Sequence, residues 1–240
     1  MIERTFQHLP GIGSRGEERL WSMGITDWDS FLRAEHIRGI SKERKIILDH
    51  HLRADLAALE HEAWERFIRW PERLHHRALP HLERIYYLDI ETYGVRSRTA
   101  TIIAVSDAEH VHLIDGTRAD GTVLSEILSR AEAIVTFNGS RFDLPYLKRA
   151  YAYTPECFTI DLEPLARRAG LTGGLKRIEH ELGIRRNRAF RNGDPLALWR
   201  SYRATGDEHF LELLGSYVEQ DVLTLPVLLE HIHPRLYAQR

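Results

Sequence analysis

Three short segments of the chain carry acidic residues at spacings that could do chemistry. Asp89-Ile90-Glu91 closes the run Ile85–Ile90, which is rich in β-formers. Alternate residues of a strand share a face, so the two carboxylates point the same way. Anions so placed repel each other unless a cation lies between them. Asp143 follows Phe137-Asn138-Gly139-Ser140-Arg141-Phe142. There an apolar strand stops, Asn-Gly turns the chain and a helix begins, which sets Asp143 at the carboxyl edge of a sheet, where open α/β sheets place their sites. Tyr217 and Asp221 lie four residues apart in a helical stretch, so a hydroxyl and a carboxylate share one helix face. Taken singly, each segment also has an ordinary structural explanation: solvated acids at a strand end, a turn with an N-capping aspartate, an amphipathic helix.

The elements that must position these groups are readable from pattern. Residues 1–78 look wholly helical, with Ser41 as N-cap of a long amphipathic stretch toward Trp70. Pro71 and Pro80 bracket a polar segment, Glu72–Leu79, that reads as a linker. Strands are expected over Ile85–Ile90, Thr99–Val105, His110–Ile114, Ala133–Phe137 and Cys157–Ile160, with a break at Gly94. Helices are expected near 122–129, 142–151, 162–169, 174–182, 195–203 and 208–230. Three successive strands followed by alternating helices and strands describe a mixed α/β sheet with helices on both faces.

In combination, order and spacing, the three acidic segments resemble the exonuclease motifs of the DEDD superfamily. The first motif matches as Asp89-Ile90-Glu91-Thr92, the second as Asn138-Gly139 followed by Phe142-Asp143, and the third as Tyr217 with Asp221. The histidine branch places His five residues before the last Asp; this chain has Ser216 there, and Tyr217 fits the tyrosine branch. Asp161-Leu162, Leu165-Ala166-Arg167, Leu175-Lys176-Arg177-Ile178-Glu179 and Leu182-Gly183-Ile184, with the helical amino-terminal region, resemble the bacterial YprB-type subfamily.

The resemblance, spanning about residues 84–232, implies a ribonuclease-H-like α/β domain at 79–240. It has a mixed five-stranded sheet and is preceded by a small all-α domain at 1–78. It implies a 3′→5′ exonuclease that hydrolyses phosphodiester bonds at the 3′ ends of DNA or RNA, with a single strand expected as substrate, using two Mg²⁺ or Mn²⁺ ions. Hard oxygen ligands suit those ions. By resemblance, Asp89 bridges both metals, Glu91 and Asp221 complete the tighter site, and Asp143 holds the second metal. Tyr217 orients the attacking water, and Thr92, Asn138 and Phe142 meet the nucleic acid. Two alternatives accompany this reading. One is a binding module with weak or no turnover, disfavoured because none of the four carboxylates is lost. The other is a proofreading or repair subunit working with a protein partner.

Other features carry less. Leu9-Pro10-Gly11-Ile12-Gly13 resembles the turn of helix-hairpin-helix modules, in which backbone N–H groups hold a phosphate; Gly11 and Gly13 are the candidates, against a plain tight turn in a helical bundle. Arg185-Arg186-Asn187-Arg188 with Arg191 is the densest basic run and could contact a phosphate backbone, as could Arg96 and Arg98; a solvated loop is the plain alternative. Asp161 reads as an N-cap. The paired histidines His50-His51 and His75-His76, with His231 and His233, read as surface residues.

A single cysteine, Cys157, excludes an intrachain disulfide. It sits in no glycine-rich nucleophile turn and reads as buried. No uncharged apolar run is long enough to span a bilayer, and the first residues hold no apolar signal core, so a cytoplasmic location with no membrane partner is expected. The formal net charge of −2 neither marks nor excludes a nucleic-acid binder, because acids at a metal site offset basic residues elsewhere.

Overall fold

The computed structural model describes residues 1–93, 99–107, 109–185 and 194–238. Gly94, expected as a strand break, lies outside these residues. The chain divides into two units: Met1–Leu82 with Glu156–Phe158, and Glu83–Pro155 with Thr159–Arg240.

The first unit holds α1 (Ser14–Ser22), α2 (Trp28–Arg33), α3 (Lys42–Glu60) and α4 (Glu65–Ile68). They close over a core of Phe6, Trp28, Phe31, Leu48, Leu52 and Phe67. Ser41 caps α3, accepting from the Arg44 amide at 3.3 Å. The stretch toward Trp70 is not one helix. α3 stops at Glu60, and the chain reverses through Glu62 in the left-handed region at φ 52°. This turn returns Phe67 to the core, where its ring stacks on Trp28 at 6.5 Å.

Glu72–Leu79 is not a linker. It forms a 3₁₀ turn, Glu72–Arg77, and begins another, Leu79–His81, with Leu74, His75, His76 and Arg77 buried. His75 and His76 are therefore core residues, each 3% exposed, and not surface ones. The polar composition misleads because the polar groups are satisfied inside. Arg77 Nη1 and Nη2 donate to Glu17 Oε1 and Oε2 at 2.6 and 2.7 Å, and Glu17 also accepts from the Phe6 amide and Gln7 Nε2. Burial pushes the Glu17 carboxyl up, but these donors, Arg77 foremost, outweigh it and hold it below the usual range.

The second unit is built as β1 (Ile85–Thr92), β2 (Ala100–Ser106), β3 (Val111–Asp115), α5 (Gly121–Ile127), β4 (Ala133–Thr136), α6 (Asp143–Tyr151), β5 (Phe158–Asp161), α7 (Leu162–Arg168), α8 (Leu175–Leu182), α9 (Pro195–Thr205) and α10 (Glu208–Ala238). The five strands form one sheet in the order β3-β2-β1-β4-β5. β1 is antiparallel to β2 and parallel to β4, and β2 is antiparallel to β3, so the sheet is mixed. β2 is buried along its whole length, as a strand covered on both faces must be. α10 packs against β1, β2, β3, α7 and α9. It runs past the expected end near residue 230 to Ala238, through Pro226 and Pro234. Proline normally weakens a helix interior; here buried Leu225, Leu228, Leu229, Ile232 and Leu236 hold the helix to its neighbours. Among the described residues no helix is long and apolar enough to cross a membrane.

Candidate metal-binding site

The site sits where two strands part. β1 pairs with β4 only over Ile85–Tyr87, while its pairing with β2 continues to Thr92. In the opening, the Ile90 amide donates to Asp143 Oδ1 at 3.1 Å. One hydrogen bond thus ties the first acidic segment to the second.

Asp143 is delivered by a tightly held turn. Asn138 takes the left-handed region at φ 62°. Asp161 Oδ1 accepts from the Asn138 amide at 2.7 Å, and its Oδ2 accepts from the Ser140 amide at 3.1 Å and hydroxyl at 2.5 Å. It also caps α7 through the Glu163 amide at 3.0 Å, as its place in the sequence suggests, but its larger job is to anchor this turn. A Cβ on Gly139 would lie 2.3 Å from Thr136 Oγ1, so only glycine lets the turn lie so close to β4.

A register shift shapes the other side. Glu91 pairs with Ile102 and Thr92 with Ala100, leaving Thr101 as the extra residue of a β-bulge. Bulges at strand ends re-aim side chains near functional sites. The Thr101 hydroxyl donates to the Glu91 carbonyl at 2.9 Å, fixing the bulge.

Carboxylate oxygens of Asp89, Glu91 and Asp221 lie within 4.8 Å of one another. Asp143 lies outside that set, 4% exposed, beside it through Ile90. Burial, then the Asp221 charge, push the Glu91 carboxyl up to about 7; Lys176 opposes the shift, and Asp143 and Asp194 add to it. Burial likewise raises Asp143 to about 7, against hydrogen bonds from its own amide and that of Ile90. Acids gathered this closely in a half-buried place are poorly served as bare anions. An all-oxygen donor set of this kind fits a hard divalent cation.

Tyr217, 4% exposed, shares α10 with Asp221. Lys176 Nζ stands 4.7 Å from the centre of its ring. Lys176 falls within the run Leu175–Glu179, yet nothing in its local sequence marks it as a site residue. Asp194, which caps α9 through the Ala197 amide, carries no local signal of a role at the cluster either.

The remaining candidates scatter. Thr92 is half-buried at the bulge, Phe142 half-buried before Asp143, and Asn138 exposed in its turn. Arg185 is exposed beyond α8. Arg96, Arg98, Arg186, Asn187, Arg188 and Arg191 lie outside the described residues. Cys157 is buried.

Gly11 and Gly13 belong to the first unit and are described there alone. Leu9–Ile12 is a β-turn closed by Ile12 N to Leu9 O at 3.1 Å, with Pro10 at its second position and Gly11 at φ 71° at its third, the preferences of a type II turn. Gly13 caps α1. Arg44 Nη2 donates to the Pro10 and Gly11 carbonyls at 3.2 and 3.0 Å, a link that local sequence could not reveal.

A mixed five-stranded sheet with acids gathered where β1 and β4 part defines a ribonuclease-H-like α/β domain with a carboxylate centre. The RNase_H superfamily model matches residues 86–233, and the chain belongs to that superfamily. Among solved structures, the fold is shared with the family B DNA polymerase from the hyperthermophilic archaeon Pyrobaculum calidifontis, at TM-score 0.51 and 18% identity, over 62% of this chain and 24% of that one. Brucella melitensis NrnC is similar at TM-score 0.50 and 20% identity, over 68% of this chain and 78% of that one. Escherichia coli RNase D, an exoribonuclease involved in structured RNA processing, matches at TM-score 0.48 and 24% identity, over 70% of this chain and 43% of that one. The matched region thus spans under half of the polymerase and of RNase D. No curated protein sequence matches the chain.

Proposed function

We propose that this protein is a divalent-metal-dependent 3′→5′ exonuclease of the DEDD superfamily, tyrosine branch, akin to the YprB-type subfamily, acting on nucleic acid in the cytoplasm. The observation that carries this reading is the gathering of Asp89, Glu91 and Asp221 oxygens within 4.8 Å, with Asp143 bonded to the backbone between the first two. Asp89, Glu91, Asp221 and Asp143 hold two Mg²⁺ or Mn²⁺ ions. When bound, such ions activate water and offset charge on the departing oxygen.

The chain's own groups supply the rest. Tyr217 orients the attacking water through its hydroxyl. An ordinary phenol titrates near 10, so it holds the water and is not its base. Lys176, over the Tyr217 ring, stabilises the ionised Glu91. Asp161 keeps the Asn138–Ser140 turn, and hence Asp143, in place. Thr92, Asn138 and Phe142 contact the terminal nucleotide, and Arg185 the phosphate backbone. In the first unit, Gly11 and Gly13 present backbone N–H groups to a phosphate, with Arg44 bracing the turn from its carbonyl side.

The test is a digestion panel with 3′- and 5′-labelled single- and double-stranded DNA and RNA, with Mg²⁺, Mn²⁺ or EDTA. Metal-dependent shortening from the 3′ end is expected, and its loss in Asp143→Asn and Asp221→Asn. Absence of any metal-dependent shortening, or full activity in either variant, sinks the assignment.

A further inference from the structure

A second feature adjoins the carboxylates. A cleft of about 530 Å³ opens between the far end of β1 and α9, lined by Tyr93, Thr101, Thr117, Trp199, Arg200 and Arg203 among others. This volume suits a ligand of nucleotide size. It abuts the acidic cluster: Tyr93 is two residues beyond Glu91, and Thr101 is bonded to the Glu91 carbonyl. Asp194, the N-cap of α9, has a charge that reaches Glu91.

The chemistry of the walls is opposite to that of the cluster. No acidic residue lines the cleft among the described residues. Arg200 and Arg203 are exposed, and among the described residues neither guanidinium has an ion pair or hydrogen bond. Tyr93, an aromatic residue 52% exposed, stands at the edge. Trp199 also borders the cleft but is buried, 8% exposed and backed by Tyr202 at 5.6 Å between ring centres, so it forms part of the wall and leaves Tyr93 as the open platform. Trp199 and Arg203 are four residues apart on α9, so they share a face. A cationic groove with aromatic platforms is how proteins track single-stranded nucleic acid without reading its sequence: phosphates meet guanidinium groups and bases stack on rings.

We propose that this cleft holds the single-stranded nucleic acid immediately 5′ of the terminal nucleotide, with Arg200 and Arg203 on its phosphates and Tyr93 against a base. The assignment rests on the exonuclease reading for its polarity, because everything beyond the terminal nucleotide of a 3′ end lies on its 5′ side. It makes a single strand the preferred substrate, since bases in a duplex cannot stack on this ring.

Fluorescence anisotropy with 5′-fluorescein dT20 and rU20, in EDTA, reads the cleft without turnover. The full chain should bind with an affinity that falls with salt. Arg200→Ala with Arg203→Ala should lower the slope of log affinity against log salt by about 1.4, at about 0.7 for each phosphate of a single strand that is no longer neutralised. Tyr93→Ala should weaken binding roughly ten-fold, as expected when one base loses its stacking platform. Trp199 is buried and is left unaltered, so exposed Tyr93 carries the test of stacking. Unchanged affinity and slope in the arginine pair and in Tyr93→Ala overturn the proposal, as does failure of the unaltered chain to bind either strand. Hydrolysis of the same strands with Mn²⁺ is followed in parallel. Turnover with unchanged variant binding sinks the cleft and leaves the exonuclease reading, whereas weakened variant binding without turnover does the reverse.

Discussion

Replacing Asp143 by Asn should abolish hydrolysis and yet stabilise the metal-free protein. Asp143 is buried, and its carboxyl is raised from its ordinary 3.8 to about 7. At about 1.4 kcal/mol for each pH unit, holding the ionised acid in the folded chain costs on the order of 4 kcal/mol. The sign follows from linkage. Below the unfolded value both states carry the protonated acid and nothing is lost. As pH rises from there toward 7, the unfolded chain ionises first and draws the equilibrium toward itself. Above 7 the full cost is present. Asn escapes it, has nearly the same shape, and keeps an Oδ1 to accept from the Ile90 amide. In EDTA, the variant should therefore match the unaltered chain near pH 4 and exceed it by up to about 4 kcal/mol near pH 8. Urea unfolding followed by circular dichroism across that range measures the gap. A gap that does not widen with pH, or a variant less stable at pH 8, refutes the account of Asp143 as an acid held against its own desolvation.

Three further outcomes follow from the same geometry. Divalent metal should raise the melting temperature more at pH 8 than at pH 6, because Glu91, also raised to about 7, must be deprotonated to bind; equal rises in a thermal scan with Mn²⁺ against EDTA would count against the cluster as a metal site. Arg77→Met should cost about 3–5 kcal/mol at pH 7 by leaving Glu17 buried without its cation. Because the Glu17 carboxyl is depressed in the folded chain, its contribution is present above the ordinary glutamate range and lost as pH falls through the folded value, so the gap should narrow in acid; a pH-independent gap in urea titrations contradicts this. Asp161→Ala should lower kcat by releasing the Asn138–Ser140 turn, and Asp161→Asn should restore part of it by accepting from the Asn138 and Glu163 amides; equal kcat in all three proteins removes Asp161 as a positioning residue.

Much of the second unit is legible in the chain because local rules agree there. The run at Ile85–Ile90 has β-forming residues and a period of two, so both the strand and the shared face of Asp89 and Glu91 follow. Asn138-Gly139 before a helical stretch announces a turn, and Gly139 indeed sits where no side chain fits. Misreadings cluster where distant residues decide. Glu72–Leu79 looks like a linker because it is polar, but Arg77 and the two histidines are buried, and Arg77 meets a glutamate 60 positions earlier. The helix expected over 208–230 already takes in Pro226, and packing against the sheet carries α10 past that end and through Pro234 to Ala238.

Residue types, their order and their spacing are properties of the chain, and they alone set out the acidic segments and the strand and helix that carry them. Whether those segments meet depends on long-range pairing. β1 must leave β4 after Tyr87 to open a gap, Asp161 must reach back to the Asn138 turn, and α10 must lie against β1. No local preference encodes these contacts, because each is a bond or a packed surface between residues far apart in sequence. Only the folded sheet brings Asp89, Glu91 and Asp221 within reach of one ion, and only there do Arg200 and Arg203 come to line a cleft beside them.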